Sequence, residues 1–81
     1  MSHHYTVHYY GLLGERRKLT EELLSSNAST ARELYQELDR QHHFSLAIED
    51  LRAAVNDEFV PWDHRLAPND RVAFLPPMSG G

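Results

Sequence analysis

The sequence predicts an α+β roll in which one helix lies on one face of a mixed sheet. Three observations carry this. The chain has 81 residues, enough for one domain. Its clearest periodic segments are a strand near each end and a capped helix between them. A helix flanked by strand pairs in so short a chain has one economical architecture, a sheet with that helix across it.

Tyr5 to Tyr10 (YTVHYY) is aromatic and β-branched, with Tyr5, Val7 and Tyr9 on one face and Thr6, His8 and Tyr10 on the other. It reads as the first strand. Gly11 and Gly14 mark a turn region. Residues 15 to 26 carry two readings. ERRKLTEELL has helix propensity, and Glu21 to Leu24 also suits a short strand before the polar Ser25-Ser26-Asn27. Thr30 and Glu33 have the spacing of a capping box, in which the Thr hydroxyl accepts from the Glu33 amide and the carboxylate returns to the Thr30 amide. Leu34 and Leu38 follow at i, i+4 with Ala31 and Tyr35 beside them, so a helix is expected from Thr30 to about His42. Leu46 to Ile48 suits a short helical turn. Leu51 to Val55 and Glu58 to Val60 read as strands joined by a tight Asn56-Asp57 turn, since both residue types tolerate left-handed backbone. Trp62 to Leu66 is a loop, with the single tryptophan read as a lid on the core edge. After a turn at Pro68-Asn69-Asp70, Arg71 to Leu75 forms the last strand, with Val72 and Phe74 on one face and Ala73 and Leu75 on the other. Pro76-Pro77 ends the ladder, because proline has no N–H to donate.

Composition excludes several function classes. Eight basic residues face twelve acidic ones, a net charge of -4. Arg16-Arg17-Lys18 is flanked by Glu15, Glu21 and Glu22, so no basic stripe exists to neutralise phosphates and nucleic acid is not an expected partner. The absence of cysteine removes disulfides, a thiolate zinc site and a cysteine nucleophile. The six histidines include adjacent His42 and His43, which point ~100° apart on a helix and cannot easily share one ion, so no metal is expected. No serine sits in a nucleophile elbow, and Gly11-Leu-Leu-Gly14 lacks the spacing and lysine of a phosphate loop. No apolar run nears the ~20 residues that span a bilayer, and no signal-peptide core is visible, so the expected setting is cytoplasmic and off the membrane.

The remaining feature is the tail, Pro76-Pro77-Met78-Ser79-Gly80-Gly81. At a glycine frequency of ~7%, a Gly-Gly end arises by chance roughly once in 200 chains. The prolines favour extended polyproline II, and no charged residue follows Arg71. Residues 76–81 thus read as a flexible arm of roughly 19–21 Å beyond a folded body of residues 1–75. Glycine lacks a Cβ that would crowd attack on an activated terminal carbonyl, and two glycines thread a narrow channel. A body, an arm and an activatable carboxylate describe a carrier rather than a catalyst.

These residues carry a resemblance. The run Ala54-Val55-Asn56, Asp63-His64-x-Leu66 and Asp70-x-Val72-Ala73-Phe74-x-Pro76-Pro77-x-Ser79-Gly80-Gly81 is similar to the MoaD-like family, the small sulfur-carrying subunits of molybdopterin synthase. The VHYY strand and the Thr30-capped helix match in order, so the resemblance covers essentially the whole chain. Gly-Gly alone is shared with the thiamine sulfur carrier and with ubiquitin-like modifiers, and the Pro-Pro-x-Ser-Gly-Gly ending is narrower. The chain departs from the family's usual pattern at Asn69-Asp70, where Gly-Asp is usual, and at Leu75, where an aromatic is common.

The resemblance implies a β-grasp, ubiquitin-like roll with a second strand near Glu21 to Leu24. It implies that Gly81 is the reactive end, adenylated by an E1-like enzyme that uses ATP and then thiocarboxylated by a sulfur donor system. The sulfur would pass to cyclic pyranopterin monophosphate in molybdenum cofactor biosynthesis. Ala73, Leu75, Pro76, Pro77, Met78, Ser79 and Gly80 would bind the large synthase subunit, in a heterotetramer. No cofactor is expected to be bound permanently, and the catalytic groups would belong to the large subunit, so the chain is no enzyme by itself. A carrier for thiazole formation or tRNA thiolation, or a protein modifier, is the alternative.

Overall fold

A computed structural model describes residues 2–76. The elements in order are β1 (His3–Tyr9), α1 (Leu12–Arg17), β2 (Glu21–Ser26), α2 (Ala31–His42), a 3-10 turn (Ile48–Asp50), β3 (Arg52–Val55), β4 (Glu58–Val60) and β5 (Arg71–Leu75). The five strands form one sheet in the order β2-β1-β5-β3-β4. β1 and β5 run parallel, and the other neighbours are antiparallel. With α2 across one face, this is the β-grasp, ubiquitin-like roll.

Alternation decides the faces. Tyr5, Val7 and Tyr9 of β1 and Val72 and Phe74 of β5 are buried beneath α2, together with Ala53 and Val55 of β3. From the helix, Ala31, Leu34, Tyr35 and Leu38 complete the core, the stripe that i, i+4 spacing requires. Aromatic rings make the centre. Tyr35 meets Phe74 edge-on at 5.4 Å, and Trp62 stacks on Phe74 at 6.0 Å with planes 8° apart. Trp62 is thus a lid on the core, as its loop position suggested. The three buried tyrosines all have satisfied hydroxyls, Tyr5 donating to the Ala28 carbonyl, Tyr35 to that of Leu46 and Tyr9 to the Glu22 carboxylate.

Two local expectations need correction. The Gly11–Gly14 region is not only a turn, because α1 begins at Leu12. This helix is too short to be stable on propensity. Tertiary contacts hold it: Leu13 is fully buried, and Arg16 donates to the Phe44 carbonyl. The helix stops at Lys18, which adopts the left-handed conformation, and Glu21–Ser26 becomes a strand by pairing with β1. The capping box also closes differently. Thr30 Oγ1 accepts from the Glu33 amide at 3.2 Å, but the Glu33 carboxylate accepts from the amide and hydroxyl of Ser29. Those bonds lower the pKa of Glu33.

A polar clamp ties α1 to the sheet. The Glu22 carboxylate accepts two bonds from Arg17, at 2.8 and 3.0 Å, and one from the Tyr9 hydroxyl at 2.5 Å. Arg17 holds the Glu22 pKa below the usual carboxylate range, while burial and then Glu22 push the Tyr9 phenol up. A depressed folded pKa stabilises the protein above the unfolded value, and that stability is lost as pH falls through the folded value. Glu22→Gln is therefore expected to cost about 1–2 kcal/mol near neutral pH. In urea titrations that gap to the native chain should close below pH ~4.5. A gap unchanged at low pH contradicts an ionised clamp.

Candidate partner surface and tail root

β5 is the middle strand, paired with β1 on one side and β3 on the other. Its pairing reaches Leu75, opposite Arg52, and its far side is held by the Tyr10 amide donating to the Phe74 carbonyl at 3.3 Å. Pro76 then ends the ladder for want of an N–H. The last described residue thus leaves the middle strand of the sheet, which is paired on both sides. Gly11 lies against it: a Cβ there would come within 2.8 Å of Pro76 Cγ, and the Gly11 φ of +59° with ψ of −131° suits glycine alone.

The start of β5 is equally fixed. Asn56 and Asp57, at φ 52° and 73°, form the tight turn between β3 and β4. Asn56 exchanges bonds with the Arg71 backbone, its amide donating to the carbonyl and its Oδ1 accepting from the Arg71 N–H. Asp70 accepts from Asn56 Nδ2 and from the Ala67 amide. Asn69, at φ 70°, takes a left-handed position that asparagine tolerates.

No helix of the described chain covers the second face of the sheet. A row of facing residues crosses it: Glu21, His8, Ala73, Ala54 and Phe59. Ala73 and Ala54 are small, so the sheet is hollowed between Tyr10, Phe59 and Leu75, in a depression of about 390 Å³. A second depression, of about 420 Å³, joins Phe59 and Leu75 to Arg52, Asp50 and Pro76 at the tail root. Phe59 is 62% exposed and Tyr10 49%, large values for aromatic rings. The polar and charged groups sit at the rim. The Arg52 guanidinium lies 5.1 Å from the centre of the Phe59 ring, Arg71 pairs with Asp57 at 2.9 Å, and His8 faces Glu21 at 3.9 Å. An apolar centre with a charged rim is the anatomy of a protein-docking surface. It supplies no nucleophile and base within bonding reach, and no cluster of metal-ligating side chains occurs among the described residues.

Of the expected site residues, Ala73, Leu75 and Pro76 lie together at this face and its tail root. Pro77, Met78, Ser79, Gly80 and Gly81 lie outside the described residues. Phe59 and Arg52 were not singled out from sequence. Only the sheet order brings them beside Leu75, although the alternation of β3 and β4 was a usable signal.

The sequence profile of the ThiS family matches residues 7–81. The chain belongs to the ThiS family. This ThiS-family chain is 48% identical over 50 residues to the molybdopterin synthase sulfur carrier subunit of Escherichia coli (strain K12), a match spanning 52% of the chain and 62% of that relative. The chain therefore matches less than two thirds of that relative's length. Among solved structures, small archaeal modifier protein 1 from Methanosarcina acetivorans superposes with TM-score 0.80 at 17% identity, covering 100% of this chain and 99% of that one. The complex of subunits 1 and 2 of the molybdopterin-converting factor from Helicobacter pylori 26695 contains a chain matching with TM-score 0.63 at 23% identity, covering 96% and 99%. Likeness at these identities establishes the shared fold. No helix among the described residues of this ThiS-family chain is long and apolar enough to cross a membrane.

Proposed function

We propose that this chain is the sulfur carrier subunit of a molybdopterin synthase, with Gly81 as the carrying residue. The observation that carries this is the 48% identity to a molybdopterin synthase sulfur carrier subunit, joined to a family match that runs through Gly81. The open sheet face beside the tail root supports it, because a carrier needs a docking surface next to its arm.

In this reading an E1-like enzyme joins the Gly81 carboxylate to AMP, releasing pyrophosphate from ATP. A sulfur donor system then displaces AMP from the carbonyl carbon, leaving a thiocarboxylate. The body docks on the large subunit through Ala73, Leu75 and the surrounding apolar face, with Pro76 and Pro77 as further binding residues. Met78, Ser79 and Gly80 line the way into the large subunit. There the sulfur passes to cyclic pyranopterin monophosphate, and Gly81 returns to a carboxylate. The chain holds no catalytic group of its own and no permanent cofactor. The working complex is a heterotetramer with the large subunit.

Reconstitution tests this. Thiocarboxylated chain mixed with a molybdopterin synthase large subunit and cyclic pyranopterin monophosphate should form the dithiolene, and Leu75→Asp should weaken docking at least ~10-fold. ThiS-family membership also accommodates a carrier for thiazole formation or tRNA thiolation, and the small archaeal modifier fold accommodates a protein modifier. Sulfur delivered only to one of those acceptors, or isopeptide adducts through Gly81, would replace the first reading.

A further inference from the structure

The edge of the sheet farthest from β4 presents a second surface. β2 is an edge strand, and its hydrogen-bonding phase follows from its neighbours. The Tyr9 amide donates to the Thr20 carbonyl at 2.9 Å, and Tyr9 and Thr20 continue the β1–β2 register. Facing residues in an antiparallel pair alternate between bonded and unbonded. Thr20, Glu22, Leu24 and Ser26 therefore turn their backbone groups toward β1. Glu21, Leu23 and Ser25 turn theirs outward. The other side of β1 agrees: the Thr6 and Tyr10 amides point toward β5, donating to the carbonyls of Asp70 and Phe74.

The same three residues lie on the open face, and Leu23 at 71% exposure is the most exposed large apolar side chain among the described residues. A bare strand edge with an exposed leucine is a template for another strand. We infer that β2 is a self-complementary edge that pairs antiparallel with β2 of a second copy, about a two-fold axis through Leu23.

The register argues for this occupant. Centred on Leu23, the pairing places Leu23 opposite Leu23 and Glu21 opposite Ser25. Every outward N–H and C=O of Glu21, Leu23 and Ser25 then finds a partner. The exposed leucines cover each other, and no carboxylate faces a carboxylate. Centring on Leu24 sets Leu23 against Ser25 and carries Glu21 past the end of the strand. Centring on Glu22 sets Glu21 against Leu23. Neither brings the exposed Leu23 side chains together. The acidic side chain of Glu22 points to the other face and is held by Arg17 and Tyr9, so it does not oppose the approach. Two strands this short bury less than the ~1,200 Å² of a standard interface, which makes the association weak and reversible. The depressions around Phe59 and Leu75 remain free, since β4 and β5 lie across the sheet from β2.

The absence of cysteine allows a direct test on the full-length chain. A bonded antiparallel pair sets its Cα atoms ~5.5 Å apart, within disulfide range. Under mild oxidation Leu23→Cys should form a covalent dimer at least ~10-fold faster than Glu21→Cys or Ser25→Cys alone. An equal mixture of Glu21→Cys and Ser25→Cys should cross-link with each other. In sedimentation the native chain should be monomeric at ~10 µM and dimeric on the order of 1 mM. Leu23→Lys should stay monomeric at both concentrations with an unchanged circular dichroism spectrum. Equal cross-linking at all three positions, cross-linking of Leu23→Cys with Ser25→Cys in preference to itself, or a native monomer at the higher concentration overturns the inference. None of these readouts involves sulfur loading, so they stand apart from the carrier reading.

Discussion

A chain extended by one residue beyond Gly81 is expected to fold normally and to accept no sulfur. The added residue converts the Gly81 carboxyl into an amide, whose carbonyl oxygen is not a nucleophile toward ATP. The new terminal carboxylate sits one residue farther out, on a residue that, unless glycine, brings a Cβ to the reacting end. The fold does not depend on this end, because β5 is already paired with β1 as far as Phe74 and with β3 as far as Leu75, and the core closes over Phe74. Thermal unfolding should therefore match the native chain, and docking on the large subunit through the open face should persist. Dithiolene formation in the reconstituted reaction should fall to background. Normal turnover by the extended chain would place the reactive group elsewhere.

Phe74→Ala is expected to have the largest effect on stability. Phe74 has no exposed surface, lies edge-on to Tyr35 at 5.4 Å and is stacked under Trp62. It sits in the central strand, whose pairing on both sides holds the backbone in place around the hole. Truncating such a residue costs about 3–5 kcal/mol. A domain of this size is stable by roughly 4–12 kcal/mol, so the loss is a large share of the total. The expected outcome is a strongly lowered urea midpoint and blunted aromatic circular dichroism. Ala73→Ser, one residue away on the other face, should shift the midpoint little. Similar losses for both variants would contradict the assignment of faces in β5.

Much of this fold was legible in the sequence, for identifiable reasons. β1 and β5 alternate cleanly because one face of each meets a helix and the other does not, so Tyr5, Val7, Tyr9, Val72 and Phe74 announce the core. The main helix is declared by Thr30 and by the leucine spacing. α1 was not legible, because a six-residue helix opened by Gly11 and containing Gly14 exists through Leu13 burial and the Arg16 contact rather than through propensity. The helix preference of Glu21 to Leu24 yielded to pairing with β1, a tertiary effect no local window contains. Glu33 chose Ser29 over Thr30, a difference of one residue that the capping-box pattern does not resolve. The docking face divides the same way. Ala73 and Leu75 follow from alternation in one strand, whereas Phe59 and Arg52 become their neighbours only through sheet order.

The central claim is that Gly81 carries sulfur on its carboxylate. Intact-mass analysis of the chain, produced with and without an E1-like activating enzyme and a sulfur donor system, tests it most directly. The account predicts a fraction heavier by one oxygen replaced with one sulfur, present only with the activating system, mapping to the C-terminal peptide and absent from the extended chain. A mass unchanged in the presence of an active system would contradict it.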